Sequence, residues 1–243
     1  MLFSLLLLAC SPVEAEELPT VESLLQGVDT NMTFETRMIR AEMTVVKPKR
    51  TKVYEFLSYG RGVDEAATEF LAPSRDAGTK MLKKGDELWI YLPSVEKVQK
   101  MSGHMLRQGM MGSDVSYEDM MESSSWLDAY TAEVTGADMA EGRDCWLLEM
   151  KAKTDEVSYP TRKVWVDKEH LIPVKQELYA VSGVLLKTWL MTEPMEYEGR
   201  QYPTRMIIDD SLQEGSRTEM HFKEMDFSVD VEDEIFSMRW LER

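Results

Sequence analysis

The sequence predicts a mainly β protein of the α+β class, built around one long antiparallel sheet. Thirteen strand-like runs with a period of two carry this prediction, together with turn residues between consecutive runs and the scarcity of helical periodicity. The runs follow one another as hairpins, without alternating helices, so neighbouring strands should be antiparallel. A sheet of about a dozen strands has to bend or close on itself to bury its inner face.

The first predicted element is a short amphipathic helix that begins after Pro19 and ends near Asp29. Thr20 can cap it, and Leu24 and Leu25 lie on its apolar face. The strand-like runs then occupy residues 34–47, 51–59, 64–71, 79–83, 86–92, 95–101, 130–136, 144–152, 161–167, 172–180, 184–192, 203–210 and 216–227. Helical turns are expected at residues 117–121, at 126–127 and at 231–236.

Length and charge limit the classes of function. A chain of 243 residues suits one large domain, and no Gly/Ser linker or charge block divides it. Its formal charge of -16, from 44 acidic and 28 basic residues, argues against nucleic acid as a partner and favours contact with basic protein surfaces.

The N-terminus has the apolar character of an export signal. Residues 1–10 are too few to span a bilayer but suit the apolar part of a signal peptide. A small-x-small site ending at Ala15 would make residues 1–15 the signal peptide and 16–243 a single soluble domain. The lipobox-like run 7–10 would instead end the signal before Cys10 and leave that cysteine lipidated. Both alternatives predict export.

Signals for catalysis are weak. The three histidines, His104, His170 and His221, lie apart in the sequence, and no nucleophile or phosphate-binding motif occurs. Cys145 lies in a strand-like run and is expected to be a buried, inert thiol. We therefore predict that the protein is not an enzyme and uses no cofactor and no metal.

Residues 101–121, here called the methionine-rich segment, hold six of the 19 methionines and follow neither strand nor helix periodicity. Methionine is flexible and polarizable, so it suits a surface that has to fit acyl chains of varied shape. The segment could equally cap one end of the core. The candidate residues of an apolar cavity or its lid are Met101, Met105, Leu106, Met110, Met111, Met120, Met121, Trp89, Tyr91 and Trp165.

Two alternatives compete with lipid binding. His104, Met105, Met110 and Met111 are soft or borderline donors, as in exported Met-rich copper-binding proteins, although they form no Met-x-x-Met array. A purely structural envelope protein would instead have a barrel filled by its own side chains.

Nine short segments occur in an order that resembles the LolA-like outer membrane lipoprotein-sorting protein family, over about residues 18–241. They are residues 72–82 (APSRDAGTKML), 86–94 (DELWIYLPS), 95–98 (VEKV), 111–114 (MGSD), 117–119 (YED), 164–168 (VWVDK), 173–175 (PVK), 183–187 (GVLLK) and 202–206 (YPTRM). Each segment is unspecific by itself, and the ordered set carries the resemblance.

The resemblance implies a LolA/LolB-like fold, an unclosed and strongly curved antiparallel β-barrel of about 11 strands, with helices over its open side and an apolar cavity. It also implies a periplasmic carrier that binds acyl chains of lipoproteins or other lipids and moves them toward the outer membrane. The implied partners are those acyl chains, an inner-membrane transporter of the RND/MMPL or ABC type, and a membrane contacted transiently. If Cys10 is lipidated, the carrier would be anchored to the outer membrane.

Overall fold

A continuous antiparallel sheet of thirteen strands forms most of the protein in the computed structural model, which describes residues 17–122, 126–154 and 157–243. The strands are β1 Thr36–Lys47, β2 Arg50–Arg61, β3 Glu65–Ala72, β4 Lys80–Lys84, β5 Glu87–Leu92, β6 Lys97–Met101, β7 Tyr130–Ala140, β8 Arg143–Ala152, β9 Thr161–Asp167, β10 Pro173–Tyr179, β11 Leu185–Tyr197, β12 Arg200–Asp210 and β13 Arg217–Asp226. The predicted signal peptide and Cys10 lie outside the described residues.

Within the described ranges, four α-helices and three 3-10 helices accompany the sheet. The α-helices are α1 Val21–Met32, α2 Tyr117–Met121, α3 Trp126–Ala129 and α4 Met238–Leu241, and the 3-10 helices are Gly103–Met105, Met110–Gly112 and Asp233–Phe236. Among the described residues, no helix has the length and apolar character needed to cross a bilayer.

The order of the strands explains why the barrel stays open. It runs β6-β5-β4-β3-β2-β1-β13-β12-β11-β10-β9-β8-β7, so two meanders meet where the first strand pairs with the last. Strands β6 and β7 follow each other in the chain but form opposite edges of the sheet. Residues 102–129 connect these edges, and all of the methionine-rich segment except Met101 belongs to that connection.

The predicted fold class is confirmed. The sheet is antiparallel, curled and unclosed, with few helices, and each strand-like run of the sequence corresponds to one strand. The count of about 11 strands that the family resemblance implied is too low by two. The alternation of the sequence was the better guide because each hairpin carries its own turn residues.

Helix α1 packs on one end of the inner face, here defined as the face of the sheet that surrounds the cavity. The Thr20 hydroxyl accepts a hydrogen bond from the Ser23 backbone N–H at 3.2 Å, as the cap prediction required. Leu24, Leu25 and Val28 are buried against side chains of β7, β8 and β9.

The C-terminal residues cover the outer face of β3, β4 and β5. Phe236 and Leu241 are buried there, with Trp89 and Tyr91 packed beside them. Trp89 and Tyr91 therefore lie opposite the cavity, and the expectation that they line it is corrected. Side chains alternate along a strand, so the inward positions of Leu88 and Ile90 force both aromatic rings outward.

Trp165 is the third aromatic residue whose predicted place needs correction. Its neighbours Val164 and Val166 face inward beneath α1, whereas Trp165 packs on the outer face with Cys145. Its indole N–H donates to Asp138 Oδ2 at 2.9 Å. The ring is thus part of an outer cluster and not of the cavity wall.

Candidate functional site

The inner face of the sheet surrounds two adjoining chambers, with volumes of about 1050 Å³ and about 210 Å³. Asp119, Met120 and Trp189 line both, so they mark the junction. Ligand sites in proteins commonly have volumes of roughly 300–1,000 Å³. The larger chamber reaches the upper end of that range, and the barrel is not filled by its own side chains.

The smaller chamber is apolar. It is lined by Ile39, Phe56, Ser58, Thr68, Phe70, Met110, Val115, Asp119, Met120, Trp189, Met206, Met220 and Phe222. Its two hydroxyls, of Ser58 and Thr68, are hydrogen-bonded to each other at 2.9 Å. With its polar groups mostly satisfied by protein partners, this chamber offers a ligand mainly apolar contact.

The larger chamber carries charged side chains of both signs. The cations are Arg37, Lys83, Arg162 and Arg200, and the acids are Asp29, Asp119, Glu122 and Asp128. Which of these charges already has a protein partner decides what kind of ligand the chamber can take.

Arg162 and Arg200 are both engaged by the protein itself. Arg162 forms an ion pair with Glu122 at 2.5 Å and donates to the Tyr130 hydroxyl at 2.8 Å. Burial alone would lower the pKa of Arg162, but the contacts with Glu122 and Tyr130 outweigh burial, so the pKa is raised. Arg200 donates to the carbonyl oxygens of Thr30 and Thr33, both at 3.0 Å, and so holds the C-terminal end of α1.

Arg37 and Lys83 differ from these two. Arg37 donates to the carbonyl oxygen of Gly62 at 2.7 Å, and Lys83 to that of Val63 at 2.6 Å. In the described part of the chain, neither forms an ion pair with a carboxylate. Burial lowers the pKa of Arg37. Burial is also the main reason why the pKa of Lys83 is lowered. The positive charge of Arg37 lowers it further, and the nearby carboxylates only partly oppose these two effects.

The two unpaired cations belong to one cross-strand row on the inner face. Arg37 pairs with Gly60, Gly60 with Ala66, and Ala66 with Lys83, on strands β1 to β4. A β-carbon at Gly60 would lie 2.4 Å from Arg37 Cζ. The guanidinium therefore lies over Gly60, and the small side chain of Ala66 leaves space between it and Lys83.

Two carboxylates tie the methionine-rich segment to the sheet. Asp114 is buried and accepts from Lys47 Nζ and Thr218 Oγ1, both at 2.7 Å, and also from the Ser216 hydroxyl. Asp119 accepts from Lys187 Nζ at 2.6 Å and from the Tyr159 hydroxyl at 2.5 Å.

Asp119 also fixes the start of α2. Its side chain accepts from the Ser116 backbone N–H at 2.7 Å, while the Ser116 hydroxyl accepts from the Asp119 N–H, which makes a capping box. Burial and Asp119 raise the pKa of Tyr159, which therefore stays protonated as a donor. The segment is thus anchored to the sheet at two points.

The methionine-rich candidates share one side of the molecule. Met110 and Met120 line the chambers. Met101 is buried in the cluster around the smaller chamber, against which the others pack, namely Met105, Leu106, Met111 and Met121.

Sequence reasoning missed Arg37, Lys83 and Trp189 as cavity residues. A signal existed for Arg37, because it falls in phase with the buried residues of β1.

The donors named for a copper site differ in their surroundings. Within the part of the chain that the structure describes, no group of three or more His, Cys, Asp or Glu side chains could hold a metal ion. His104 is exposed in its 3-10 helix, whereas Met110 is 3% exposed in the apolar cluster.

Comparison with solved structures places this architecture among known folds. A DUF1329 family protein from Desulfovibrio piger superimposes with a TM-score of 0.83 at 23% identity, covering 90% of this chain and 96% of its own. A putative outer membrane lipoprotein-sorting protein domain from Vibrio parahaemolyticus gives 0.81 at 24%, covering 91% and 97%. A LolA superfamily protein from Nitrosomonas europaea gives 0.77 at 24%, covering 92% and 100%.

Sequence comparisons add a family but no curated relative. No curated protein matches the chain. A family model described as "uncharacterized protein" matches residues 62–243, about three quarters of the sequence. The chain belongs to this family, and its fold is that of the LolA-like outer membrane lipoprotein-sorting proteins.

Proposed function

We propose that the protein is a non-enzymatic periplasmic carrier that binds acyl chains of lipoproteins or other lipids and hands them on toward the outer membrane. One observation carries the proposal: the inner face surrounds a cavity whose smaller chamber is apolar. Such a chamber offers contact area, which is what an acyl chain needs.

The energetics suit a carrier. Each buried methylene contributes about 0.8 kcal/mol, so ten methylenes give roughly 8 kcal/mol before the costs of association. Only the surplus over those costs appears as affinity, so an acyl chain should bind more weakly than the micromolar value to which about 8 kcal/mol alone would correspond. Binding of this strength allows release, and transfer then requires only that the acceptor binds the chain more tightly than the carrier does.

The fold and the surface charge support a role in the periplasm. One solved structure of this fold is named a putative outer membrane lipoprotein-sorting protein domain. We propose a transporter of the inner membrane, of the RND/MMPL or ABC type, as the donor, with transient membrane contact during loading. The charge of -16 would favour docking on basic patches of such a partner.

Lipid uptake by the purified full chain tests the carrier function. Met120 stands at the junction of the chambers, so Met120→Asp places a charge on the acyl path. We expect it to weaken binding of a fluorescent fatty acid at least about tenfold, since a buried unpaired charge is costly. Met139→Asp, the same change on the exposed part of β7, is the matched control and should bind like the wild type. Failure of the wild type to bind any acyl probe would reject the proposal.

The mature N-terminus distinguishes a soluble from an anchored carrier. Mass spectrometry of protein recovered from the cell envelope should give an unmodified terminus at Glu16 if cleavage follows Ala15. A diacylated Cys10 would mean that the protein acts as a membrane-anchored acceptor.

A further inference from the structure

We infer that Arg37 and Lys83 form a head-group site, so that the cargo is an amphiphile with an anionic head, a phosphate or a carboxylate. This inference rests on the proposed carrier function and narrows its ligand class. A neutral acylglyceryl group would leave both cations without an ion-pair partner among the described residues. The acyl tail would lie in the adjoining apolar chamber.

Charge pairing elsewhere in the cavity supports the site. Arg162 has Glu122 as its partner, and Lys187 has Asp119. Lys83 is 6% exposed, and its hydrogen-bond partner among the described residues is the backbone carbonyl of Val63. Charged side chains this deeply buried are normally paired, because desolvating an ion is costly. An anionic ligand would supply the missing pair to Lys83 and Arg37 together.

The local geometry leaves room for an anion between the two cations. Adjacent strands lie about 4.8 Å apart, so the backbones of Arg37 and Lys83 are roughly 14 Å apart across three spacings. Gly60 and Ala66 occupy the two positions between them. The Arg37 guanidinium already lies over Gly60, on the side toward Lys83. A head group can therefore sit above Ala66, between the guanidinium and Lys83, and contact both cations.

The site lies next to the apolar chamber. Ile39 stands two residues beyond Arg37 on the same face of β1, and Thr68 stands two residues beyond Ala66 on β3. Both line the smaller chamber, whereas Arg37 and Lys83 line the larger one. One molecule can thus place its anion on the cations and its chain in the apolar chamber.

The remaining charges oppose non-specific anion binding. Two of the chamber's acids, Asp119 and Glu122, are held in ion pairs, and Asp64 and Asp86 lie near Lys83. The net charge of -16 repels anions from the rest of the surface. Preference for an anionic head would therefore arise at the Arg37–Lys83 pair and not from the overall field.

Titration of the delipidated full chain with matched amphiphiles tests the inference. The probes are palmitate, palmitoyl lysophosphatidylglycerol and the neutral monopalmitoylglycerol, each below its micelle concentration, with inorganic phosphate as a fourth ligand. Calorimetry on the wild type should show at least about tenfold tighter binding of an anionic amphiphile than of the neutral one.

Two charge-removing variants and two controls complete the design. Arg37→Gln and Lys83→Met should each reduce that preference about tenfold, by weakening binding of the anionic amphiphiles. Arg75→Gln and Lys151→Met remove exposed cations and should retain the wild-type preference. Methionine replaces lysine because its long apolar side chain keeps most of the lysine volume. Thermal melts followed by circular dichroism show whether all four variants are folded.

The outcomes separate this inference from the carrier function. Equal binding of neutral and anionic amphiphiles, or an unchanged preference in both variants, overturns the head-group site and leaves the carrier intact. Competition by inorganic phosphate as effective as that of lysophosphatidylglycerol would mean a site for a free anion, which also overturns it. Binding of none of the three amphiphiles rejects the carrier itself.

Discussion

The Arg37 guanidinium occupies the space that a side chain at Gly60 would fill: a β-carbon there would lie 2.4 Å from Arg37 Cζ. Glycine inside a strand normally weakens it, and it often marks a close approach of another group. Gly60 pairs directly with Arg37 across β1 and β2. The glycine therefore permits the inward cation to lean across the neighbouring strand.

Substitution of Gly60 tests this arrangement without changing any charge. Gly60→Ala should displace the guanidinium and weaken binding of lysophosphatidylglycerol by about tenfold, because a charged hydrogen bond depends on geometry. Calorimetry measures the loss. In the Arg37→Gln background the same substitution should have no further effect, since the group it displaces is gone. Wild-type affinity in Gly60→Ala would contradict the arrangement.

Lys83 should reduce the stability of the ligand-free protein. It is buried without an ion-pair partner among the described residues, so Lys83→Met should raise the free energy of unfolding by about 1 kcal/mol near pH 7. Urea titration followed by circular dichroism measures this difference. A less stable variant would mean that the lysine is structural.

The wild type and Lys83→Met also test the lowered pKa of Lys83 through the pH dependence of their stability. Burial and Arg37 lower the pKa of Lys83, and Asp64 and Asp86 only partly oppose this. Above the lowered pKa the unfolded chain binds more protons than the native one, so the wild type gains stability as pH rises toward the ordinary lysine pKa. The advantage of Lys83→Met should therefore shrink between about pH 7 and about pH 10. A difference in the free energy of unfolding that stays constant over this pH range would contradict a lowered pKa of Lys83.

The strands were predictable because alternation and turn residues are local signals. In β1 the buried residues Ile39, Ala41, Met43 and Val45 follow the period of two from the sequence alone. The curvature that decides which face surrounds the cavity depends on the whole sheet. Trp89 and Tyr91 were therefore placed on the wrong side.

The cationic pair illustrates a second limit of the sequence. Arg37 shares its phase with the buried residues of β1, which marks a charge on the inner face. Lys83 gave no such signal, because Lys80, Lys83 and Lys84 together resemble a solvated edge. Only the register from β1 to β4 brings Arg37 and Lys83 into one row.

Cys145 is expected to be unreactive in the native protein. Its side chain is fully buried, and burial together with Asp167 raises the thiol pKa to about 11. Iodoacetamide at about pH 8 should leave Cys145 unmodified in the native state and label it after unfolding, because the thiolate is the reactive form. Peptide mapping by mass spectrometry follows this residue alone. The raised pKa of the thiol also affects stability. The protonated thiol contributes to the free energy of unfolding at neutral pH, and this contribution is lost as pH rises toward about 11. Rapid labelling of the folded protein would show that the thiol is accessible.

Asp114 determines how firmly the methionine-rich segment is held. Its carboxylate accepts from Lys47, Ser216 and Thr218, and its backbone N–H donates to Thr218 Oγ1 at 2.8 Å. Asp114→Ala removes the buried acceptor and leaves Lys47 without its ion-pair partner. We expect a loss of about 3 kcal/mol in the free energy of unfolding, measured by urea titration. Glu214→Ala, an exposed acid in the turn between β12 and β13, should change it little.

The same substitution tests whether the segment gates the cavity. Met110 and Val115 line the smaller chamber on either side of Asp114 along the chain, so releasing this anchor should loosen the chamber wall. Hydrogen exchange should become faster at residues 103–121, since local opening costs less once its hydrogen bonds are lost. A bound fluorescent fatty acid should then leave several-fold faster in stopped-flow transfer to vesicles, because opening limits its escape. Faster exchange with an unchanged release rate would show that the segment is a fixed wall and that the acyl chain leaves elsewhere.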